Sequence, residues 1–148
     1  MSLKSDMEGH HLVTITRGLA ELPRVIDLVD DFCDSIAATS QDAHSLHLAI
    51  EEAVSNVLQH GYAGLPRPLS LSLQAIAPDR VRATVTDRAP PFNPLSRPEV
   101  DTSLTLEERA IGGLGVHLVK KLMDTTRYER RGGQNILTME LKLGNAPQ

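Results

Sequence analysis

The order of hydrophobic and polar positions divides this 148-residue chain into strand-like and helix-like segments. Five stretches read as strands. Leu12 to Thr16 alternates, Leu69-Ser70-Leu71-Ser72-Leu73 alternates strictly, and Arg80 to Asp87 puts Val81, Ala83 and Val85 on one face. Thr125 to Arg131 and Asn135 to Leu143 pair around Gly132-Gly133. Three other segments carry helical spacing. Pro23 fits the first turn of a helix running to about Ala38, with Val25, Val29, Phe32 and Ile36 as its apolar stripe. Thr39 and Asp42 have capping-box-like spacing ahead of a second helix, which Gly61 and Gly64 close. In it Leu46, Ala49, Ile50, Ala53, Val54 and Val57 fill one arc. The third follows Gly112-Gly113-Leu114-Gly115, with Val116, Val119, Leu122 and Met123 at helical spacing. The path is strand, two helices, two strands, loop, helix, two strands, with no internal repeat. It predicts an α+β fold: a two-layer α/β sandwich with a mixed, mostly antiparallel sheet and helices on one face.

Polar residues interrupt this pattern at three places. On the second helix Glu52 and Asn56 lie ~40° apart, at ~100° per residue, and His60 continues that line one turn later. The line borders the apolar arc, whereas Glu51 is turned well away. A Glu accepts a proton and an Asn oxygen ligates a hard cation such as Mg²⁺. A solvated helix face presents the same spacing. Asp87 ends its strand before Pro90, Pro91 and Pro94, which forbid a continued strand. It fits a turn former, or an acceptor for an amino group such as that of adenine. The glycines at 112, 113 and 115 lead straight into a helix, whose exposed backbone amides and dipole favour phosphate. A flexible loop before an ordinary helix reads the same way.

Taken in this order, the three motifs resemble the GHKL ATPase superfamily of DNA gyrase, histidine kinases and MutL repair proteins. The nearest likeness is to the bacterial anti-sigma factor serine kinases and their stand-alone relatives. The Glu52 helix looks like that family's asparagine box, Asp87 to Pro94 like its first glycine box, and Gly112 to Gly115 like its second. Tyr128 to Met139 resembles the closing hairpin, and the likeness runs from about Val13 to Leu143. The resemblance implies a Bergerat ATP-binding fold. It implies Glu52 as general base, Asn56 as the ligand of an Mg²⁺ bridging the ATP phosphates, and Asp87 as reader of the adenine amine. Gly113, Leu114 and Gly115 would wrap the phosphates, and Thr138 would bring a hydroxyl near the adenine. Ala89 stands where the family has Gly, which predicts a slightly tightened nucleotide floor. Residues 95–111, rich in Pro, Ser, Thr and acidic side chains, would form the ATP lid, from which Arg97 or Arg109 could reach the terminal phosphate.

Composition narrows the function classes. The length fits one domain, 1–148, with a core at about 12–143. A lone cysteine, Cys33, excludes an intramolecular disulfide and sits on the first helix's apolar stripe, as a core residue would. A net charge of −4 argues against a nucleic-acid binder. The short cluster Arg127, Arg130, Arg131 reads as a solvated edge. No apolar run approaches a membrane span and no signal-peptide core is present, so a cytoplasmic location is expected. The histidines lack metal-ligand spacing.

The activity implied by the resemblance is a serine/threonine protein kinase acting as an anti-sigma factor. It would phosphorylate a STAS-domain anti-anti-sigma protein in a partner-switching pathway, with a sigma factor or serine phosphatase as further partners and a homodimer as a possible state. An ATP-dependent binding module without phosphotransfer is the alternative. A histidine-kinase-type catalytic domain is disfavoured, because nothing here resembles a dimerising phospho-acceptor helix pair.

Overall fold

A computed structural model describes residues 10–96 and 114–144, the side chains at 96 and 114–117 excepted. Among these residues five strands form one sheet: β1 (His10–Ile15), β2 (Leu69–Ile76), β3 (Arg80–Asp87), β4 (Thr125–Arg131) and β5 (Gln134–Lys142). Their spatial order is β1-β2-β3-β5-β4. Every pairing among the described residues is antiparallel, so the sheet is not mixed as expected. The connections explain this. β2–β3 and β4–β5 are hairpins, the first helical excursion returns the chain to β2 antiparallel beside β1, and β5 lies antiparallel between β3 and β4, which run the same way without touching. Gly132 and Gly133, at φ 60° and 77°, supply the turn that closes the β4–β5 hairpin.

One face of the sheet carries Ile15, Leu71, Val85, Met139 and the alternate positions of their strands, such as Val13, Leu69, Ala83 and Leu137, all buried under the helices. The other face is polar, with Thr14 bonded to Ser70 at 3.0 Å and Arg82 to Glu140 at 2.8 Å. That division follows from the two-residue period of the strands. Among the described residues three helices cover the apolar face: α1 (Leu22–Ser35), α2 (Ser40–Asn56) and α3 (Leu114–Leu122). α2 lies between the other two and packs against both.

Helix boundaries follow local chemistry. Pro23 occupies the first turn of α1, where its missing N–H costs no bond. Glu21, itself buried, accepts the backbone N–H groups of Thr16 and Arg17 at 2.7 Å each and pairs with Arg24, tying β1 to α1. Thr39 caps α2 by accepting the N–H of Asp42 at 3.1 Å. The carboxylate of Asp42 bonds the N–H of Gly144 instead of closing the capping box. Cys33 is buried in the core, and burial pushes its thiol up to about 11, which favours the protonated form at neutral pH. No helix among the described residues is long and apolar enough to cross a membrane.

Candidate functional site

The helical line around Glu52 reaches the end of α2 and then changes pitch. Asn56 is the last α-helical residue, and Val57–Gly61 forms a π turn in which the N–H of Tyr62 bonds the carbonyl of Val57 at 2.7 Å. A π turn holds more residues than an α turn, so later positions rotate off the previous line. His60 is accordingly exposed and does not continue the Glu52–Asn56 row. The same rotation brings Gly61 to the wall of a cleft that Glu52, Ala53, Asn56 and Val57 also line. Glu52 and Asn56 are half-buried there, and neither side chain takes a hydrogen bond or ion pair from a described residue. Glu51 lies off the cleft, 3.9 Å from His47.

Asp87 closes β3 on the helix-covered face and lines the opposite wall of the cleft, which encloses about 560 Å³ of space open to solvent. It is 5% exposed. Its Oδ1 accepts the Ala89 N–H at 2.9 Å and the Asn135 carboxamide N–H at 2.9 Å. Its Oδ2 takes no hydrogen bond from the described residues. The register of β3 on β5 sets Asn135 directly opposite Asp87. Asn135 Nδ2 also lies 3.1 Å from the carbonyls of both Ala89 and Pro90. On its other side Asn135 Oδ1 accepts from the Tyr128 hydroxyl at 2.6 Å and from Arg130 at 3.2 Å. Arg130 donates a further bond to the Ala89 carbonyl at 2.8 Å.

The turn after Asp87 is held from the helix side as well. The hydroxyl of Tyr62 accepts the Arg88 N–H at 2.7 Å and donates to the Pro68 carbonyl at 2.5 Å. Burial raises its ionisation above the usual tyrosine range, against a smaller lowering by the Arg88 N–H. Between these polar ends the cleft is apolar, with Val85, Ala89, Phe92, Val119 and Leu137 in its walls.

The expected site residues divide as follows. Glu52, Asn56, Asp87 and Ala89 meet around one cleft. Ala89 is buried at 2% exposure, and its φ is not in the left-handed region, so no glycine is needed there. Its methyl faces Gly61: a Cβ built on Gly61 would stand 3.1 Å from the Ala89 Cβ. Leu114 and Gly115 open α3, so they belong to a helix start rather than to a free loop. Gly113, Arg97 and Arg109 lie outside the described residues, as does most of the segment expected to be a lid.

One further expectation fails. Thr138 pairs with Thr84 on the polar face of the sheet, because its position in β5 has the opposite parity to Asn135, Leu137 and Met139. It does not line the cleft. Arg127, Arg130 and Arg131 are exposed on the edge strand β4 as expected, and the Arg130 guanidinium also turns back onto Ala89 and Asn135. Sequence reasoning missed Asn135 and Tyr128. The signal for Asn135 was an amide sharing the apolar face of a strand with Leu137, Met139 and Leu141. A buried polar group in such a row needs a partner, and that partner is across the sheet. Among the described residues no group of His, Cys, Asp or Glu is arranged to hold a metal by itself.

Comparison with known proteins adds lineage to this geometry. Residues 15–141 match the model of a family described as the histidine kinase-like ATPase domain. The chain is 27% identical over 96 residues to the serine/threonine-protein kinase BtrW of Bordetella bronchiseptica, covering 64% of this chain and 67% of that one. It is 29% identical over 110 residues to the serine-protein kinase RsbW of Halalkalibacterium halodurans, covering 71% and 66%. The chain thus spans about two thirds of the length of these relatives. Among solved structures, the RsbU and RsbW domains of a Mycobacterium tuberculosis protein align with a TM-score of 0.63 at 20% identity, over 90% of this chain and 32% of that one. The SiaB–SiaC complex of Pseudomonas aeruginosa aligns with a TM-score of 0.61 at 7% identity, over 88% and 87%. At those identities the structural likeness is one of fold.

Proposed function

The chain belongs to the histidine kinase-like ATPase domain family, and from that premise we propose that it is a protein serine kinase that uses Mg·ATP to phosphorylate a STAS-type anti-anti-sigma partner. The observation that carries this reading is one apolar cleft with, among the described residues, a carboxylate oxygen without a hydrogen bond at one end and a Glu–Asn row without a polar partner at the other. The donor set fits the nucleotide. Asp87 Oδ2 would accept the adenine amine, and Val85, Phe92 and Leu137 would pack on the base. Asn56 would ligate the cation with its carboxamide oxygen. The first turn of α3, with Leu114 and Gly115, offers backbone N–H groups without helical partners, where phosphate is favoured.

Bound Mg·ATP would supply the phosphoryl group and the cation that neutralises its charge. Glu52 would take the proton of the partner's serine hydroxyl as its oxygen bonds to the terminal phosphorus, while the bond from that phosphorus to the bridging oxygen breaks and ADP leaves. Glu52 suits that task because it is half-buried on the cleft with no competing cation among the described residues. The kinase names of BtrW and RsbW support phosphotransfer, and the fold shared with the SiaB–SiaC complex supports a regulatory protein partner. The reading includes a single domain over 1–148, a cytoplasmic location, and a sigma factor or serine phosphatase in the same pathway.

The test is direct. The purified chain is mixed with Mg²⁺, ATP labelled at the terminal phosphate, and a STAS-domain protein from the same organism. Label on a partner serine is the expected result. ATP-dependent complex formation without label would replace the kinase by a nucleotide-gated binding module.

A further inference from the structure

Asn135 is 5% exposed and carries more side-chain hydrogen bonds than any other described group near the cleft. Its carboxamide divides them by type. The acceptors Asp87 Oδ1 and the Ala89 and Pro90 carbonyls face its NH₂, at 2.9, 3.1 and 3.1 Å. The donors Tyr128 OH, Arg130 and the Phe92 N–H face its oxygen, at 2.6, 3.2 and 3.4 Å. Flipping the amide would set donors against donors and acceptors against acceptors, so only one orientation is compatible with these neighbours. Tyr128 and Arg130 therefore fix which way Asn135 points, and Asn135 in turn fixes one oxygen of Asp87.

That arrangement has a consequence for recognition. Asp87 Oδ1 has two donors already, Asn135 and the Ala89 N–H, so the carboxylate cannot rotate without breaking both. The other oxygen, which takes no hydrogen bond from the described residues, is left in a single direction, which a short rigid acceptor needs if it is to read one amino group. We propose that Asn135, locked by Tyr128 and Arg130, is a positioning residue that makes Asp87 selective for a purine bearing an exocyclic amine. The proposal rests on the nucleotide reading above and assigns the source of its base selectivity.

The experiment compares the full-length parent with Asn135→Leu, which keeps the size of the side chain and removes both polar groups. Binding of Mg·ATP and of the Mg complex of purine riboside triphosphate, which lacks only the amine, is measured by calorimetry. The parent is expected to prefer ATP by about 10-fold or more, the worth of one hydrogen bond to a charged acceptor. Asn135→Leu is expected to lose about 10-fold in ATP affinity while the affinity for purine riboside triphosphate changes less than about 3-fold, so the preference collapses. If both affinities fall together and the preference survives, Asn135 is only part of the wall and the proposal is overturned. A parent without any preference would instead remove Asp87 from the adenine site, and the positioning role with it. Should Asn135→Leu fail to fold, Tyr128→Phe decides. It removes the 2.6 Å donor while keeping the ring, and an ATP preference lowered by a few-fold supports the lock whereas an unchanged preference overturns it.

Discussion

At the strand end of the cleft, three side chains hold the Asp87–Pro90 segment, Tyr62 after the π turn, Arg130 on β4 and Asn135 on β5, and Tyr128 on β4 holds Asn135 in turn. At the helix end, Glu52 and Asn56 have no polar partner among the described residues. The two ends differ because their environments do. Asp87 is nearly fully buried, and an ion there must be hydrogen-bonded to be tolerated at all. Glu52 and Asn56 are half-exposed, so water satisfies them and can be displaced at small cost. One end is preorganised for a fixed hydrogen-bond pattern. The other keeps its valences for groups that arrive and leave.

The largest effect that would break this contrast is at Glu52. If its carboxylate is held in reserve for a partner's serine proton, Glu52→Gln keeps near-parental nucleotide affinity and lowers phosphotransfer by at least ~100-fold, since general-base help is worth ~10²–10⁴ in rate. Glu51→Gln, off the cleft beside His47, stays close to parental in the same label-transfer assay. Equal behaviour of the two variants would erase the distinction between the cleft row and the rest of the helix.

Asn56 comes next. Asn56→Ala removes the carboxamide oxygen at the helix end and is expected to abolish the Mg²⁺-dependent part of ATP binding, because few other protein oxygens there suit a hard cation. Titrating ATP with Mg²⁺ and then with a chelator checks this. An unchanged Mg²⁺ increment would mean that the open end does not hold the cation.

These two residues were legible in the chain because helical periodicity is a local property, and four positions suffice to align Glu52 with Asn56. Asp87 was legible for a similar reason: alternation followed by prolines marks a strand end. What escaped was long-range. The position of Asn135 beside Asp87 is a fact of β3–β5 register across 48 residues, which no local window contains. Thr138 was misplaced by strand parity alone, three residues from Asn135 and hence on the other face. The π turn was invisible too, since the apolar pattern through Val57 and Leu58 looks the same in either helix, and it is the turn that moves His60 away and Gly61 in. The all-antiparallel sheet follows from connections whose partners the sequence does not name.

A third prediction loosens the closed end without touching the open one. Tyr62→Phe leaves the Arg88 N–H and the Pro68 carbonyl without their hydroxyl and is expected to cost about 1–3 kcal/mol of stability, read as a lower Tm. The same group gives a pH signature. Burial raises its folded-state pKa above 10.0, so the folded state holds the proton more tightly than the unfolded chain. Its contribution is full below about pH 10 and declines as pH rises through the folded value. The parent Tm should therefore fall more steeply than that of Tyr62→Phe above pH 10, and parallel curves would mean that the hydroxyl is not held as described.

The smallest effect tests whether the two ends are fitted to each other where they meet. Gly61 ends the π turn on the helix side, Ala89 follows Asp87 on the strand side, and a methyl added to Gly61 would approach the Ala89 methyl to 3.1 Å. Gly61 does not lie in the left-handed region, so its substitution carries no backbone strain there. A helical Gly→Ala change would normally gain up to about 1 kcal/mol in propensity. Overpacking costs about 1–3 kcal/mol when neighbours cannot yield. Gly61→Ala is thus expected to be neutral to mildly destabilising alone. Ala89→Gly leaves a small gap alone, and the double variant is expected to recover, with a coupling of at least about 0.5 kcal/mol in a double-mutant cycle of unfolding free energies. Additive effects would mean that neither residue feels the other's methyl. A positive coupling would explain why alanine is accommodated in this wall of the cleft: the space for its methyl is left by Gly61.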